Sequence, residues 1–276
     1  MTPAIRGTID PAAHLARLRE RAPLIHNITN LVAMNPMANV LLALGASPAM
    51  AHAREEAAEF AALADALTVN IGTLSPHWVA AMEEAAEAAR LTGRPWVLDP
   101  VAVGATRYRR EAGRRLLEHR PTVIRGNASE ILALEQQGSG GRGVDSSDSS
   151  DSTETAEQAA ISLARRTAAV VAVTGEVDLV TDGRRLARVP GGHALMPRVT
   201  TLGCALTGVV AAFLVDTDDP FAATAAALAC YGEAGRRAGT TATGPGSFAV
   251  AFLDALYALD HDQLAILTAL EVTDAP

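Results

Sequence analysis

Alternation between short β-rich runs and longer Ala-rich runs constrains the fold of this 276-residue chain more than any other feature of its sequence. Helix-like runs separate four strand-like runs, at residues 66–72, 95–100, 121–127 and 168–175. This order predicts a parallel sheet with helices on both faces. Because parallel crossovers are right-handed, the C-terminal ends of the strands meet at one edge of the sheet, where such sheets bind ligands.

The composition fits this class of protein and argues against nucleic-acid binding. Hydrophobic residues make up 49% of the chain and aromatic residues only 4%, so Ala, Val and Leu must form the core. The net charge is −8, and the longest basic cluster lies at 107–110, so the chain lacks the basic face of a general nucleic-acid binder. Because no linker or internal repeat divides residues 1–276, we expect a single domain.

Two features of the sequence bear on its compartment. The two cysteines are too few for a disulfide framework or a zinc site, and the first twenty residues contain no apolar signal segment. Residues 22–53 carry no Lys, Arg, Asp or Glu, but their four asparagines and three prolines argue against a membrane-spanning helix. We therefore expect a cytoplasmic protein without membrane contact.

The second half of the chain contains three further predicted features. Residues 137–155 are polar and of low complexity, which predicts a solvated loop. Asp182-Gly183 predicts the turn of a β-hairpin. Four apolar helices are predicted to close the chain, at about 203–215, 219–239, 245–258 and 260–270.

Four of the six asparagines fall within residues 26–39. Asn35 before a proline predicts a helix N-cap, and Gly45 predicts the end of that helix. Asn27 and Asn30 lie between apolar residues and need hydrogen-bond partners. Either the backbone satisfies these two amides, or they bind a small heterocycle or a hydroxyl group. His26 by itself is interpreted as a structural residue.

Charged residues follow two of the predicted strands. A carboxylate at the end of a buried strand, such as Asp99, either caps its own loop or faces a metal or a metal-bound phosphate. The guanidinium of Arg125 can bind phosphate oxygens in a bidentate manner. Asn127 and Glu130 fit a helix capping box. Alternatively, Glu130 joins Asp99 around a hydrated magnesium ion, which needs few protein carboxylates.

The turn at residues 199–208 raises the question of whether its cysteine is reactive. Gly203 and Cys204 open an apolar helix, and a helix N-terminus is a ready anion site. A thiol at that position is expected to have a lowered pKa and to act either as a nucleophile or as a proton acceptor. The alternative is packing of a small side chain, which is the interpretation we favour for Cys230. Thr174, at another strand end, is placed to bind a phosphate.

Six segments together resemble the hydroxyethylthiazole kinase family of the ribokinase-like superfamily, over nearly the whole chain. They are residues 26–51, 70–74, 99–106, 123–131, 143–146 and 173–183. The resemblance implies a three-layer α/β/α fold with a mostly parallel sheet. It implies ATP- and Mg²⁺-dependent phosphorylation of the hydroxyl of 4-methyl-5-(2-hydroxyethyl)thiazole, a step of thiamine salvage. It also implies a homotrimer whose active sites lie between subunits.

The same resemblance implies roles for individual ligand-binding residues. Met50 matches the methionine that binds the thiazole, and Asn27 belongs to the segment that forms the thiazole pocket. Arg125 and Thr174 match positions that contact ATP.

Four more positions match the reaction centre of the family. Asp99 and Glu130 match residues placed around magnesium and the phosphates. Gly203 and Cys204 match the anion hole, where most ribokinase-like kinases carry an aspartate base.

The chain departs from the family pattern just before Cys204. The family has Val-Thr-Gly-Thr-Gly-Cys, whereas Thr201 and Leu202 replace its first glycine and the following threonine. If φ is positive at residue 201, a β-branched residue there costs roughly 1–3 kcal/mol. Thr201 adds bulk on the substrate side, and Leu202 removes a hydroxyl donor. Two alternatives stay open: a kinase for another small heterocyclic alcohol, and a weakly active or non-catalytic binder of thiazole and nucleotide.

Overall fold

Ten strands form one mixed sheet in the computed structural model, which describes residues 8–138, 149–260, 262, 264 and 270–276. The strands are β1 (Thr8–Ile9), β2 (Leu24–Ile28), β3 (Ser47–Ala49), β4 (Ala66–Asn70), β5 (Trp96–Asp99), β6 (Val123–Asn127), β7 (Val170–Thr174), β8 (Val177–Thr181), β9 (Arg185–Pro190) and β10 (Leu270–Asp274). The helices are α1 (Pro11–Arg21), α2 (Met34–Leu44), α3 (Arg54–Leu63), α4 (Pro76–Thr92), α5 (Arg107–Leu117), α6 (Ala128–Gly138), α7 (Ser149–Thr167), α8 (Leu202–Phe213), α9 (Pro220–Thr241) and α10 (Pro245–Ala258).

The order of the strands creates a switch point near one end of the sheet. The order is β1-β10-β9-β8-β7-β6-β5-β4-β2-β3, and strands β2 to β7 are parallel. β2 pairs with β3 on one side and with β4 on the other, so the chain reverses its direction of travel across the sheet there. Open α/β sheets bind ligands beyond the C-terminal ends of strands at such a point.

Two hydrophobic cores confirm the three-layer α/β/α prediction. One face of the sheet packs against α1, α2, α8, α9 and α10. The other face packs against α3 to α7. Alternate strand residues divide between the faces: Val97 belongs to the first core and Leu98 to the second, as the two-residue period of a strand requires. No helix among the described residues is both long and apolar enough to cross a membrane.

Local turn chemistry confirms some predicted boundaries and corrects one. Gly45 ends α2 in the left-handed region, at φ 108°, and the hairpin of β8 and β9 turns at Gly183, at φ 84°. The N-cap prediction for Asn35 is wrong, because α2 begins at Met34 after Ala33. The amide N–H of Ala33 already bonds to the backbone and side-chain oxygens of Asn30, and the helix starts two residues earlier than predicted.

The C-terminal region and the low-complexity segment also need correction. The first three of the four helices predicted in the C-terminal region correspond to α8, α9 and α10. The helix predicted at 260–270 lies mostly outside the described residues, and β10, which follows it, was not predicted. The loop predicted at 137–155 is interrupted by α7 from Ser149 onward, since acidic and hydroxyl residues favour the first turns of a helix. Residues 139–148 lie outside the description.

Candidate active site

The carboxylate of Asp99 is buried where β5 ends, at the edge of the sheet that the strand pattern predicts for ligands. Its Oδ2 accepts hydrogen bonds from Asn70 Nδ2 at 2.7 Å and from Thr207 Oγ1 at 2.8 Å. Arg125 Nη1 lies 3.7 Å from the same oxygen. Burial raises the pKa of Asp99 to about 6, against the lowering effect of Arg125 and the two donors. Oδ1 has no hydrogen-bond partner among the described residues, so an acceptor remains there.

Two asparagine side chains connect Asp99 to Cys204. Asn70 Oδ1 accepts a hydrogen bond from Asn30 Nδ2 at 3.0 Å, and Asn30 Nδ2 also lies 3.2 Å from Cys204 Sγ. Because the carboxylate of Asp99 can only accept, Asn70 must turn its N–H toward it and its oxygen toward Asn30. The chain of contacts therefore presents an N–H group, not an oxygen, to the sulfur.

These asparagines lie at the switch point of the sheet, where β2 and β4 end side by side. Asn30 was predicted to need a partner, and the structure shows that its partners are polar side chains as well as the backbone. Asn70 and Thr207 were missed as site residues. The signal for Asn70 was the polar cluster that follows its strand, but Thr207 lies inside an apolar helix and gave none.

Cys204 is the third residue of α8 and is partly exposed. The expected lowering of its thiol pKa is wrong: burial and the nearby carboxylate of Asp99 raise the pKa of Cys204. Hydrogen bonds from Asn70 and Asn30 and the charge of Arg125 act in the opposite direction but do not prevail. Cys230, by contrast, is fully buried in α9, as its packing interpretation predicts.

The turn before Cys204 has the positive φ at residue 201 that the sequence analysis considered. Thr201 has φ 70° and ψ −4°, in the left-handed region, and its side chain makes no capping hydrogen bond to α8. Its Oγ1 instead donates to the carbonyl oxygen of Thr200 at 2.6 Å. A β-branched residue in this region is strained. The strain on the residue that replaces the family glycine is therefore present, and α8 starts directly after it, at Leu202.

Arg125 joins this turn to a cavity of about 780 Å³. Its Nη1 donates to the carbonyl oxygen of Gly203 at 2.9 Å, and its Nη2 donates to Thr174 Oγ1 at 2.8 Å. All three residues line the cavity. Asp178 lines it as well; burial raises the pKa of this carboxyl to about 6, and sequence reasoning did not single it out. The two residues predicted to contact ATP are thus brought together beside the predicted anion hole.

Comparison with known proteins agrees with this arrangement. The hydroxyethylthiazole kinase family matches residues 15–262 of the chain. A hydroxyethylthiazole kinase of Cereibacter sphaeroides is 62% identical over 251 residues, which cover 91% of this chain and 94% of that protein. The chain belongs to the hydroxyethylthiazole kinase family. A second family member, from Rhizobium leguminosarum bv. trifolii, is 58% identical over 255 residues, covering 92% and 94% of the two chains.

Solved structures agree with the family and with its fold. The hydroxyethylthiazole kinase protein of Pyrococcus horikoshii OT3 superposes with a TM-score of 0.87 at 42% identity, covering 96% of this chain and 99% of that one. The ADP complex of pyridoxal kinase from Staphylococcus aureus has a TM-score of 0.61 at 17% identity, covering 91% and 98%. At that identity the second likeness shows the fold alone.

In this member of the hydroxyethylthiazole kinase family, Glu130 has the geometry of a capping residue. Its Oε2 accepts from the backbone N–H of Asn127 at 2.8 Å, while Asn127 Oδ1 accepts from the N–H of Glu130 at 3.0 Å, as the capping-box prediction requires. Oε1 accepts from the N–H of Ala102, in the loop after Asp99. Glu130 therefore ties the loop of β5 to the start of α6, and each of its oxygens retains a lone pair.

Two of the residues predicted to bind the thiazole, Asn27 and Met50, are not among those that line the Arg125 cavity. Asn27 is fully buried, and its Nδ2 donates to the carbonyl oxygens of Ile25 and Ala49 while its Oδ1 accepts from Thr68 Oγ1. These bonds give Asn27 a structural role in joining β2 to its two neighbours. Met50 follows β3 and packs, partly exposed, against the core.

Neighbouring His26 is also structural, as the sequence indicated. Its Nε2 bonds to the carbonyl oxygen of Ala51 at 2.7 Å, and its ring packs on Phe60 with 5.0 Å between centroids. Burial lowers the pKa of His26, which keeps the ring neutral.

Proposed function

We propose that this chain catalyses ATP- and Mg²⁺-dependent phosphorylation of the hydroxyl of 4-methyl-5-(2-hydroxyethyl)thiazole, and that the whole chain acts as one kinase domain. The observation that carries the proposal is the position of Arg125, which bonds both Thr174 in the wall of the cavity and Gly203 in the first turn of α8. A phosphoryl group between cavity and turn would meet the guanidinium and the helix N-terminus together. The names of the relatives supply the acceptor alcohol.

The cavity suits a nucleotide in size and in charge. Ligand pockets commonly have volumes of about 300–1,000 Å³, and this one has about 780 Å³. Arg125 is its buried cation, with 8% of the residue exposed, and in the described part of the chain its Nε has no partner. Phosphoryl transfer needs mainly positioning and neutralisation of charge. Arg125 and the free N–H groups at the start of α8 provide both.

The residues around Asp99 fit a magnesium ion that is shared with phosphates. The buried Oδ1 of Asp99 lacks a partner in residues 8–138, 149–260 and 270–276, and the carboxylate of Glu130 keeps lone pairs on both oxygens. Within the described residues, no group of three or more His, Cys, Asp or Glu could hold a metal by itself. Magnesium characteristically keeps several waters and takes one or two carboxylates plus substrate phosphates. When bound, it would neutralise charge on the transferring phosphoryl group.

Cys204 is the residue placed to accept the proton of the substrate hydroxyl. Its raised pKa keeps it mostly a thiol in the free protein at neutral pH, so only a small thiolate fraction is available as a base. A loose transition state requires little deprotonation of the attacking oxygen. The small thiolate fraction of Cys204, toward which Asn30 directs an N–H, therefore accepts the hydroxyl proton and becomes the thiol as the phosphoryl group is transferred. Such a base increases turnover without being indispensable.

Two further elements of the proposal concern assembly and location. Leu31 and Val32 follow Asn30 directly and are 64% and 59% exposed. Large exposed apolar side chains next to a polar site fit burial by another subunit, which supports a homotrimer with shared sites. In that assembly Met50 and Thr201 would contact the thiazole. Both cysteines are free thiols, which favours the reducing cytoplasm.

The second candidate is a kinase for a different small heterocyclic alcohol. The strained, β-branched Thr201 favours it, because this residue adds bulk at the position where the family has glycine. A smaller or differently shaped ring would then fit better than the thiazole.

The decisive experiment follows ADP and phosphorylated product when purified protein is incubated with Mg-ATP and hydroxyethylthiazole, beside pyridoxal and other heterocyclic alcohols. Thiazole-dependent ADP that disappears when EDTA is added is the expected result. If ATP and thiazole both bind but no ADP forms with any alcohol, the chain is a binder and the kinase proposal fails. The pair Thr201→Gly and Leu202→Thr should increase turnover with the thiazole. Unchanged turnover and affinity would contradict the role given to this turn.

A further inference from the structure

We infer that Tyr231 is a positioning residue of the proposed phosphoryl-transfer site, and that its hydroxyl group holds the strained turn at Thr201 in place. The inference rests on the proposed function and goes beyond it, because Tyr231 belongs to a different helix and to no motif of the sequence.

The turn at Thr201 lacks local contacts that would stabilise its strained backbone. Thr201 is in the left-handed region at φ 70°, its side chain does not cap α8, and the next three residues form the first turn that presents N–H groups to the site. A strained residue persists only where surrounding contacts over-determine its conformation. The contacts that fix this turn must therefore come from other parts of the chain.

Two side chains from elsewhere grip the first turn of α8. The hydroxyl of Tyr231, in α9, donates to the carbonyl oxygen of Leu202 at 2.7 Å. Arg125, in β6, donates to the carbonyl oxygen of Gly203 at 2.9 Å. The two anchored carbonyls belong to the residues between Thr201 and Cys204. Arg125 is already assigned to binding the phosphates. We therefore assign the positioning of this turn to the hydrogen bond from Tyr231.

The tyrosine itself is held firmly. It is 2% exposed, and its ring meets Phe252 edge to face, with 4.8 Å between centroids and an angle of 72°. Burial raises the pKa of the phenol, so it remains a neutral donor at every pH of interest. Its ring also lines the cavity assigned to the nucleotide, together with Leu202 and Gly203. A ligand that fills the cavity would thus press on the residue that fixes the anion hole.

The test is a double-mutant cycle of Tyr231→Phe and Thr201→Gly. Phenylalanine keeps the packing and removes only the hydroxyl, and glycine adopts the left-handed region without strain. With Thr201 present, Tyr231→Phe should lower kcat about tenfold with KM for ATP changed less than about twofold, because positioning acts on the transition state. With Thr201→Gly in place, the same change should lower kcat less than about threefold. Tyr257→Phe, at a residue 76% exposed, is the matched control and should change neither constant.

Stability measurements on the same four proteins separate this inference from the proposed function. When Thr201 is present, loss of the hydroxyl lets the turn relax and recover strain, so the urea midpoint should fall less than it does in the Thr201→Gly background. A hydrogen bond that is merely structural would lower the midpoint equally in both backgrounds, and that result would overturn the inference. Equal losses of kcat in both backgrounds would overturn it too. If the natural protein is inactive but Tyr231→Phe lowers the urea midpoint less with Thr201 present than in the Thr201→Gly background, the proposed kinase activity is refuted. That result would still support the positioning role of Tyr231.

Discussion

Asn70 donates its side-chain N–H to Asp99 Oδ2 at 2.7 Å, although the two residues end different strands and lie 29 positions apart in sequence. The bond satisfies a carboxylate that is 1% exposed. It also fixes which way the amide of Asn70 faces, and so determines that Asn30 presents its N–H to Cys204. One contact between two strand ends thus orients the polar groups of the whole site.

Removal of the Asn70 side chain should therefore weaken both the fold and the reaction. Asn70→Ala removes one hydrogen-bond partner from buried Asp99 Oδ2 and one from Asn30 Nδ2, which costs about 1–3 kcal/mol of unfolding free energy. We expect turnover to fall at least about tenfold, because the side-chain N–H of Asn30 is then no longer oriented toward Cys204. Urea unfolding and steady-state kinetics measure the two effects. Asn39→Ala is the control, since that exposed amide bonds only within its own helix; equal stability of the two variants would contradict this account.

Replacement of the cysteine should slow the reaction without stopping it. Cys204→Ala removes a proton acceptor that is thiolate in only a small fraction of the molecules, and a loose transition state needs little deprotonation of the hydroxyl. We expect kcat to fall about 10- to 100-fold, at or below the lower end of the range for general bases. Cys230→Ala, in the buried core of α9, should instead lower the melting temperature and leave kcat nearly unchanged. A Cys204→Ala protein with no detectable turnover would show that the thiol is essential and the mechanism wrong.

Glycine at the strained turn should stabilise the protein. Thr201→Gly relieves a left-handed β-branched residue, and the added freedom of the unfolded glycine offsets part of the gain. The net increase in unfolding free energy should be on the order of 1 kcal/mol. Neighbouring Thr200, which is exposed and does not have positive φ, provides the control, because glycine there brings only the entropic loss. Destabilisation of equal size at both positions would mean that residue 201 carries no strain.

The carboxyl group of Asp178 predicts how stability depends on pH. Its pKa is raised by burial to about 6, from an ordinary value of 3.8, so the native protein binds more protons than the unfolded chain between these two values. Stability should therefore decrease as the pH rises through this window, with the full loss present above about pH 6. Asp178→Asn keeps an acceptor for the N–H of Gly175 and removes the charge.

The pKa of Asp99 is also raised by burial. Comparing the thermal unfolding of Asp178→Asn with that of the natural protein, over a range of pH, separates the contribution of Asp178 from that of Asp99. The variant should be more stable by on the order of 2 kcal/mol at pH 8, and the difference should vanish near pH 4. A difference that does not change with pH would show that Asp178 is ionised at little cost.

Much of this site was predictable because it depends on local patterns. Asp99, Arg125 and Thr174 each lie at or near the end of an apolar run, and parallel strands must bring such ends to one edge. The capping box of Asn127 and Glu130 also follows from spacing, as does the hairpin at Gly183. The N-cap prediction at Asn35 failed because the helix start is set by a hydrogen bond between Ala33 and Asn30, in the preceding loop.

The sequence by itself thus determined the layers, the functional edge and the family, because hydrophobic period and strand-end chemistry act over a few residues. The tertiary structure decided which polar groups meet. Asn70 and Thr207 find Asp99 across 29 and 108 positions, and Tyr231 finds Leu202 from another helix. It also decided the pKa of Cys204, since burial and the charge of Asp99 outweigh what the helix N-terminus suggested. Desolvation and charge depend on everything that packs around a group, and no local pattern contains that information.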